Sequence, residues 1–105
     1  MGDDAWNVPG DLHLDELERV IGHDLAETDA ETAAGLVIET HGDLPAIGAV
    51  VRVDLPEKPS ETVQGLEIER WLTVEVVEVD RHVPSQLAVR LHEVGRYAEP
   101  ADEAP

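Results

Sequence analysis

The sequence predicts an α+β domain in which two short helices pack on one face of a mainly antiparallel sheet. Two segments carry apolar residues at helical spacing, and three others alternate apolar and polar residues. The resulting order of elements is β, α, α, β, β, β, without an internal repeat. With 105 residues, 42% of them hydrophobic, the chain can fold as one domain around one core. No Phe is present, so aliphatic side chains must fill that core.

The first two elements are predicted over residues 5–9 and 14–21. The first is a short extended segment that ends at Pro9-Gly10, a pair of residues typical of turns. In the second, apolar residues recur at helical spacing until Gly22, which is expected to end the helix. A helix of about two turns depends on tertiary packing for its stability.

The second helix is predicted from a capping pattern and a buried stripe. Residues 28–31, Thr-Asp-Ala-Glu, match a capping box, which places the start of the helix there. The predicted buried stripe consists of Ala33, Leu36, Val37 and Thr40. Gly42 is the predicted C-cap. Gly35 costs about 1 kcal/mol relative to Ala inside a helix, which predicts that another backbone packs closely against it.

Three strands complete the predicted fold. Residues 49–55 alternate as a half-buried strand does, and a longer alternating strand follows residues 56–65, a predicted mobile surface loop. In the longer strand the apolar positions change parity after Val76, which predicts a β-bulge near Val76-Val77. A turn begins at residues 80–82, and residues 83–91 form the partner strand. In that partner strand the side chains predicted to point outward are Ala88, Arg90 and His92.

Domain boundaries follow from composition. Residues 1–4 are predicted to be an N-terminal tail, residues 5–95 the folded domain, and residues 96–105 a flexible acidic tail. No apolar run approaches the ~18 to 20 residues of a membrane span, and the N-terminus lacks the features of a signal peptide. The chain is therefore predicted to be cytoplasmic, without direct insertion into a membrane.

The formal net charge of −17 limits the classes of partner. A nucleic-acid partner needs a surface that neutralises phosphates, and this chain would repel them. An anionic membrane surface is excluded for the same reason. The absence of cysteine excludes a disulfide framework, a thiol nucleophile and a cysteine-ligated metal.

Five short motifs, in this order, resemble the CorC/HlyC transporter-associated domain. They lie at residues 8–12, 14–17, 31–37, 42–48 and 76–80. The resemblance covers residues 6–91. It implies a domain that follows a transmembrane domain and a pair of CBS modules in hemolysin-like transporters linked to magnesium and cobalt efflux. Its implied role is to modulate ion transport, and its implied fold is similar to part of the FAD-binding (PCMH-like) domains of certain flavoenzymes.

The sequence departs from the family pattern at three places. The 56–65 loop and the 81–86 turn are interpreted as longer than the connections usual there. His13 stands where a Ser or Thr cap is expected before the first helix.

No residue is predicted to be catalytic, to bind a cofactor or to ligate a metal. The five histidines (His13, His23, His41, His82 and His92) lack the spacing of a metal site. The carboxylates around the first helix form either a solvated acidic face or a weak patch for hard cations. Gly35, Gly42 and Gly48 are too far apart in sequence for a dinucleotide-binding loop, and the charge opposes phosphate.

Trp71 and Arg70 are the predicted candidates for an interaction surface. Trp71 shares the parity of the glutamates in the long strand, which places it on the outer face of the sheet, where an exposed aromatic can mark a docking site. The alternative is that a register shift or the 56–65 loop covers it. Arg70 can pair with a neighbouring glutamate or with an acidic partner.

The preferred functional interpretation is a non-catalytic, cytoplasmic accessory domain of a membrane ion transporter. The domain itself is predicted to bind no cofactor. Its expected partners are its own transporter chain, through the CBS pair and the transmembrane domain, or a second copy in a homodimer. The alternative is a flavin- or adenine-nucleotide-binding domain.

Overall fold

A computed structural model describes residues 4–56 and 65–97 of the chain. The predicted mobile loop therefore lies almost wholly outside the described residues, as does the tail beyond Tyr97. The elements are β1 (Ala5–Pro9), α1 (Leu14–Ile21), α2 (Ala33–His41), β2 (Val50–Asp54), β3 (Leu66–Asp80) and β4 (Val83–Tyr97). The four strands form one antiparallel sheet in the order β1-β4-β3-β2. The predicted α+β fold and order of elements are confirmed.

Both helices pack on one face of the sheet, which we call the inner face. Leu17 of α1 and Val37 of α2 are 1% exposed and share a single core with the sheet. The strands contribute to it Val8, Val51, Leu72, Val74, Val76, Leu87 and Val89. Because strand residues alternate between faces, the side chains between these positions project from the opposite, outer face. Within the described residues, no helix lies on that outer face.

Helix α1 has the predicted limits. His13 occupies the N-cap position in an extended conformation, and its side chain makes no capping hydrogen bond. Gly22 ends the helix in the left-handed conformation (φ 78°), and its N–H donates to the carbonyl oxygen of Glu18 at 2.8 Å. The sequence has no Ser or Thr at position 13, and in the structure no side chain caps the start of α1.

Helix α2 begins later than the predicted capping box. Its N-cap is Thr32, whose Oγ1 accepts a hydrogen bond from the N–H of Gly35 at 3.1 Å. The hydroxyl of Thr28 instead accepts the N–H of Ala30 at 3.0 Å. Residue Thr32 is held extended by a β-bridge to His13, so the helix cannot start before it. The prediction of a capping box at residues 28–31 is wrong because tertiary pairing fixes the backbone there.

The close approach of two backbones predicted at Gly35 occurs instead at Gly10. A Cβ atom on Gly35 would meet the side chains of Thr32 and Ala30 at 3.3 and 3.4 Å, and no backbone atom nearer than 3.9 Å. A Cβ atom on Gly10 would lie 2.0 Å from the carbonyl oxygen of Pro84. The N–H of Gly10 donates to the carbonyl of Ser85 at 2.9 Å, and its carbonyl accepts the N–H of Ala34 at 2.8 Å. Gly10 thus joins β1, β4 and α2.

Strands β3 and β4 form a long hairpin with a tight turn. Register shifts on either side of Glu78 confirm the predicted bulge after Val76. Arg81 and His82 both have positive φ (56° and 71°), as a two-residue hairpin loop requires, and Asp80 pairs with Val83. The interpretation of residues 81–86 as a long turn is therefore wrong. Strand β4 also continues past the predicted end at residue 91, because residues 92–97 pair with residues 66–71.

Candidate interaction surface on the outer face of the sheet

The register of the four strands defines which side chains share the outer face. Its described members include Ala5, Asn7, Pro9, Val50, Arg52, Asp54, Glu69, Trp71, Thr73, Glu75, Glu78, Gln86, Ala88, Arg90, His92 and Val94. They form rows across the sheet, since paired residues point to the same side. One row is Asp54, Trp71 and His92, and the next is Arg52, Thr73, Arg90 and Ala5.

Trp71 lies at the centre of this face, between side chains from both neighbouring strands. On the β4 side, the His92 ring stacks on the indole, with centroids 5.3 Å apart and planes 12° from parallel. On the β2 side, the guanidinium carbon of Arg52 lies 4.4 Å from the centroid of the indole ring. Stacked rings and cation–π contacts of this kind each contribute about 0.5 to 1.5 kcal/mol. The indole is half-buried and keeps part of its surface open to solvent.

Two hydrogen bonds hold the neighbours of the indole in place. Arg52 Nε donates to Asp54 Oδ1 at 2.8 Å, and Thr73 Oγ1 lies 2.9 Å from His92 Nε2 in a hydrogen bond. We call these five residues (Asp54, Arg52, Trp71, His92 and Thr73) the Trp71 cluster. Its side chains are ordered by contacts within the face, so a partner that binds there loses less side-chain freedom.

Arg70, the other predicted member of the interaction surface, lies on the inner face. It pairs with Glu93 across the β3–β4 hairpin, directly opposite in register, and its side chain is only 8% exposed. The structure thus separates Arg70 from Trp71 and gives Arg70 the neighbouring-glutamate partner considered from the sequence.

The alternation of the last strand predicted His92 on an outward position, but the sequence did not connect His92, Arg52 or Thr73 with Trp71. Arg52 and His92 are 19 and 21 positions from Trp71 in sequence, on different strands. The alternation of each strand shows the face on which a side chain lies. Only the register shows which outward residues are neighbours.

Carboxylates and histidines do not assemble into a metal centre within residues 4–56 and 65–97, where no three of them lie close enough to hold an ion. Several are used locally. Glu18 Oε2 accepts the N–H of Leu25 at 2.8 Å, and Asp43 Oδ1 accepts the N–H of Leu44 at 2.7 Å. His41 Nδ1 lies 3.2 Å from the carbonyl oxygen of Asp43, just past the end of α2.

A cleft of about 430 Å³ lies where β1, the first turn of α2 and the β3–β4 turn meet. A helix N-terminus can bind phosphate through its free N–H groups. Here the first three N–H groups of α2 already donate to acceptors in the chain: Leu12 O (2.8 Å), Gly10 O (2.8 Å) and Thr32 Oγ1 (3.1 Å). Two carboxylates, Asp11 and Asp80, also line the cleft. The cleft is therefore poorly suited to a phosphate group.

Neither α1 nor α2 is long and apolar enough to cross a bilayer, and the described residues contain no other helix.

Within the described residues, the chain is a small α+β domain with two helices on one face of a four-stranded antiparallel sheet. The family model of the transporter associated domain, CorC_HlyC, matches residues 1–93. The chain belongs to this family. The resemblance seen in the five sequence motifs is thereby confirmed.

Solved structures agree with this assignment. The CorC_HlyC domain of a protein described as a hemolysin of Corynebacterium glutamicum is 38% identical, with a TM-score of 0.80 over 85% of this chain and 92% of that one. A CorC_HlyC domain from Haemophilus ducreyi, 18% identical, shares the fold with a TM-score of 0.59 over 88% and 93% of the two chains. A hemolysin domain from Enterococcus faecalis V583, 23% identical, matches with a TM-score of 0.54 over 86% and 90%. Among curated proteins, no match is found.

Proposed function

We propose that this chain is a non-catalytic accessory domain that modulates ion transport by contact with its own transporter. The observation that carries the proposal is membership of the transporter associated domain family, across 93 of the 105 residues. The ordered Trp71 cluster on the outer face supports it, because a contact module needs a prepared surface rather than a reactive group.

The proposed setting is the cytoplasmic side of the membrane. There the domain follows a pair of CBS modules and a transmembrane domain in a transporter of the magnesium and cobalt efflux type. The charge of −17 suits such a place, since the anionic cytoplasmic leaflet repels the domain and leaves it available for protein contacts.

A flavin- or adenine-nucleotide-binding role has less support. Both ligands carry phosphates, which need free backbone N–H groups and a positive local charge. The N–H groups at the start of α2 donate within the fold, and the adjoining cleft carries Asp11 and Asp80. We expect neither FAD nor ATP to change the melting temperature of the chain. A saturable rise would contradict this expectation, because a ligand that binds only the folded state stabilises it.

The accessory role is tested with the complete native gene. Cells that lack other efflux systems are given either the full-length transporter or a version in which residues 1–105 are deleted, and magnesium and cobalt efflux is measured. We expect the deletion to change the rate or the ion dependence of efflux while the transporter stays in the membrane. Immunoblotting of membranes controls for the amount of protein.

Two results would refute the proposal. One is efflux that is identical with and without the domain. The other is a native gene that encodes no membrane-spanning segments in the same chain.

A further inference from the structure

Exposed apolar side chains concentrate at one end of the sheet, where β2 begins and the β3–β4 turn lies. Among the side chains that the structure describes, seven large apolar ones are exposed. Five of them fall within residues 43–50 and 75–83: Leu44, Ile47, Val50, Val77 and Val83. We call these two segments the turn-end patch. A group of exposed apolar side chains on a small domain is typical of a surface that binds a partner.

Backbone hydrogen bonds bring the two segments of the turn-end patch together. The N–H of Gly48 donates to the carbonyl oxygen of Val76 at 2.8 Å, and the N–H of Val76 donates to the carbonyl oxygen of Ala49 at 2.9 Å. A cleft of about 280 Å³ lies here, and its lining is apolar except for one histidine: Leu44, Pro45, Ala46, Ile47, Val79 and His82. The patch therefore combines exposed apolar side chains with a concave site that can receive one from a partner.

The loop that carries Leu44 and Ile47 is held by hydrogen bonds of its own. The N–H of Ala49 donates to the carbonyl oxygen of Ala46 at 3.0 Å, which closes a tight turn around Ile47. The side chain of Asp43 accepts the N–H of Leu44 at 2.7 Å. Ile47 is 65% exposed, the largest fraction among the seven exposed apolar side chains. Because the backbone that presents these side chains is already fixed, a partner that binds them pays little ordering entropy.

Carboxylates surround the turn-end patch. The two segments carry four exposed carboxylates and one arginine, which gives a formal charge of −3: Asp43, Glu75, Glu78, Asp80 and Arg81. None of the four carboxylates forms an ion pair with a residue in the ranges 4–56 and 65–97. The rest of the chain is acidic as well, so the apolar side chains, and not the charge, locate the site. The charge determines which partner can approach, and that partner must be basic.

We propose that the turn-end patch docks a cytoplasmic segment of the transporter in which an apolar side chain is flanked by lysine or arginine. The apolar side chain occupies the cleft beside Ile47. The flanking cations pair with Glu78 and Asp80, which lie on either side of Val79 in the strand that lines the cleft. This inference names the surface and the partner chemistry of the proposed accessory function, and it rests on that function.

The proposed setting favours this occupant over others. Membrane proteins carry an excess of lysine and arginine in the cytoplasmic segments next to the apolar ends of their spans. A domain that contacts its own transporter from the cytoplasmic side meets such segments, which supply both the apolar side chain and the cations. A second copy of this acidic chain and the anionic leaflet are both negatively charged, so each is repelled from the patch.

Photo-crosslinking in the full-length transporter tests the inference. The photo-reactive residue benzoylphenylalanine takes the place of Leu44, cell membranes are illuminated, and cross-linked peptides are identified by mass spectrometry. We expect cross-links to a cytoplasmic segment of the transporter that contains lysine or arginine. The same photo-reactive residue in place of Val94, which is 44% exposed at the opposite end of the β3–β4 hairpin, should not give this product.

Two matched pairs of variants measure what the contact needs, each made in the transporter that carries the photo-reactive residue at position 44. Ile47→Asp should lower the yield of the cross-link at least about tenfold, whereas Val94→Asp, the same change at an exposed site outside the patch, should lower it less than about twofold. Glu78→Lys should lower the yield at least about threefold, because repulsion replaces attraction. Its control is Glu69→Lys, an exposed glutamate farther along β3, which should lower it less than about twofold. Circular dichroism of the 105-residue chain establishes that each variant is folded.

Cross-links from position 44 to lipid alone, to a second copy of the domain alone, or to nothing would each overturn the inference. So would equal yields from Ile47→Asp and Val94→Asp. If deletion of the domain alters efflux while position 44 gives no cross-link to the transporter, the accessory function stands and the docking surface is wrong. If position 44 cross-links to a basic cytoplasmic segment while efflux ignores the domain, the docking surface stands and the accessory function is wrong.

Discussion

Replacing Gly10 with alanine should destabilise the whole domain, because the added methyl group has no space. Its Cβ would lie 2.0 Å from the carbonyl oxygen and 2.9 Å from the carbonyl carbon of Pro84, and 3.2 Å from Cβ of Ala34. Pro84 is fully buried and paired with Val79, so its backbone cannot move aside without disturbing the β3–β4 hairpin. Gly10 must therefore move instead.

That movement strains two backbone hydrogen bonds, from Gly10 to Ser85 and from Ala34 to Gly10. Each contributes about 1 kcal/mol, and overpacking adds about 1 to 3 kcal/mol, so the expected loss is about 3 to 5 kcal/mol. A domain of this size is stable by about 5 to 15 kcal/mol, so the variant should fold. A loss of about 3 kcal/mol corresponds to a fall in melting temperature of about 12 to 24 °C.

Urea unfolding followed by far-UV circular dichroism and tryptophan fluorescence measures this loss. Gly95→Ala is the control, since its Cβ would lie 3.8 Å from Cγ1 of Ile68, an ordinary contact distance. We expect Gly95→Ala to change the free energy of unfolding by less than about 0.5 kcal/mol. If Gly10→Ala costs no more than Gly95→Ala, the argument that β1, β4 and α2 are locked together at Gly10 is refuted.

Three further predictions concern the helix start, the core and the charge. Thr32→Ala should lower the free energy of unfolding, measured in urea, by about 1 kcal/mol because it removes the cap of α2. Thr32→Ser keeps the hydroxyl and should keep most of that stability. Equal losses in the two variants would show that the hydroxyl does not cap the helix. Leu72→Ala should lower the free energy of unfolding by about 2 to 5 kcal/mol, since Leu72 is 0% exposed in the centre of the sheet. A loss below about 1 kcal/mol would contradict the described core. Adding sodium chloride at neutral pH should raise the melting temperature by screening the self-repulsion of a chain with −17 charge, and a fall would contradict this account.

The sequence was sufficient for features determined by local periodicity. The alternation in β3 predicted the face of Trp71 and the bulge after Val76, and apolar spacing predicted the limits of α1. These features follow from side chains a few positions apart, whose pattern is visible in one dimension.

Features determined by tertiary pairing were not predictable in this way. The start of α2 depends on the bridge between Thr32 and His13, and a matching Thr-x-x-Glu pattern four residues earlier gave no sign of it. The close contact of Gly10 with Pro84 joins positions 74 residues apart. The contacts of Arg52 and His92 with Trp71 likewise needed the register of three strands.

The position of β1 beside β4 constrains the time at which the domain can fold. Ala5 pairs with Arg90, so the first strand has no partner until the 85 residues after Ala5 have been synthesised. Synthesis proceeds at about 5 to 20 residues per second, so several seconds pass between the synthesis of β1 and that of β4. The β3–β4 hairpin closes locally through its two-residue turn, whereas docking of β1 closes a loop of most of the chain, which makes it the slower event. During that interval the strand edges and core residues lack their partners, and a net charge of −17 opposes association between unfinished chains.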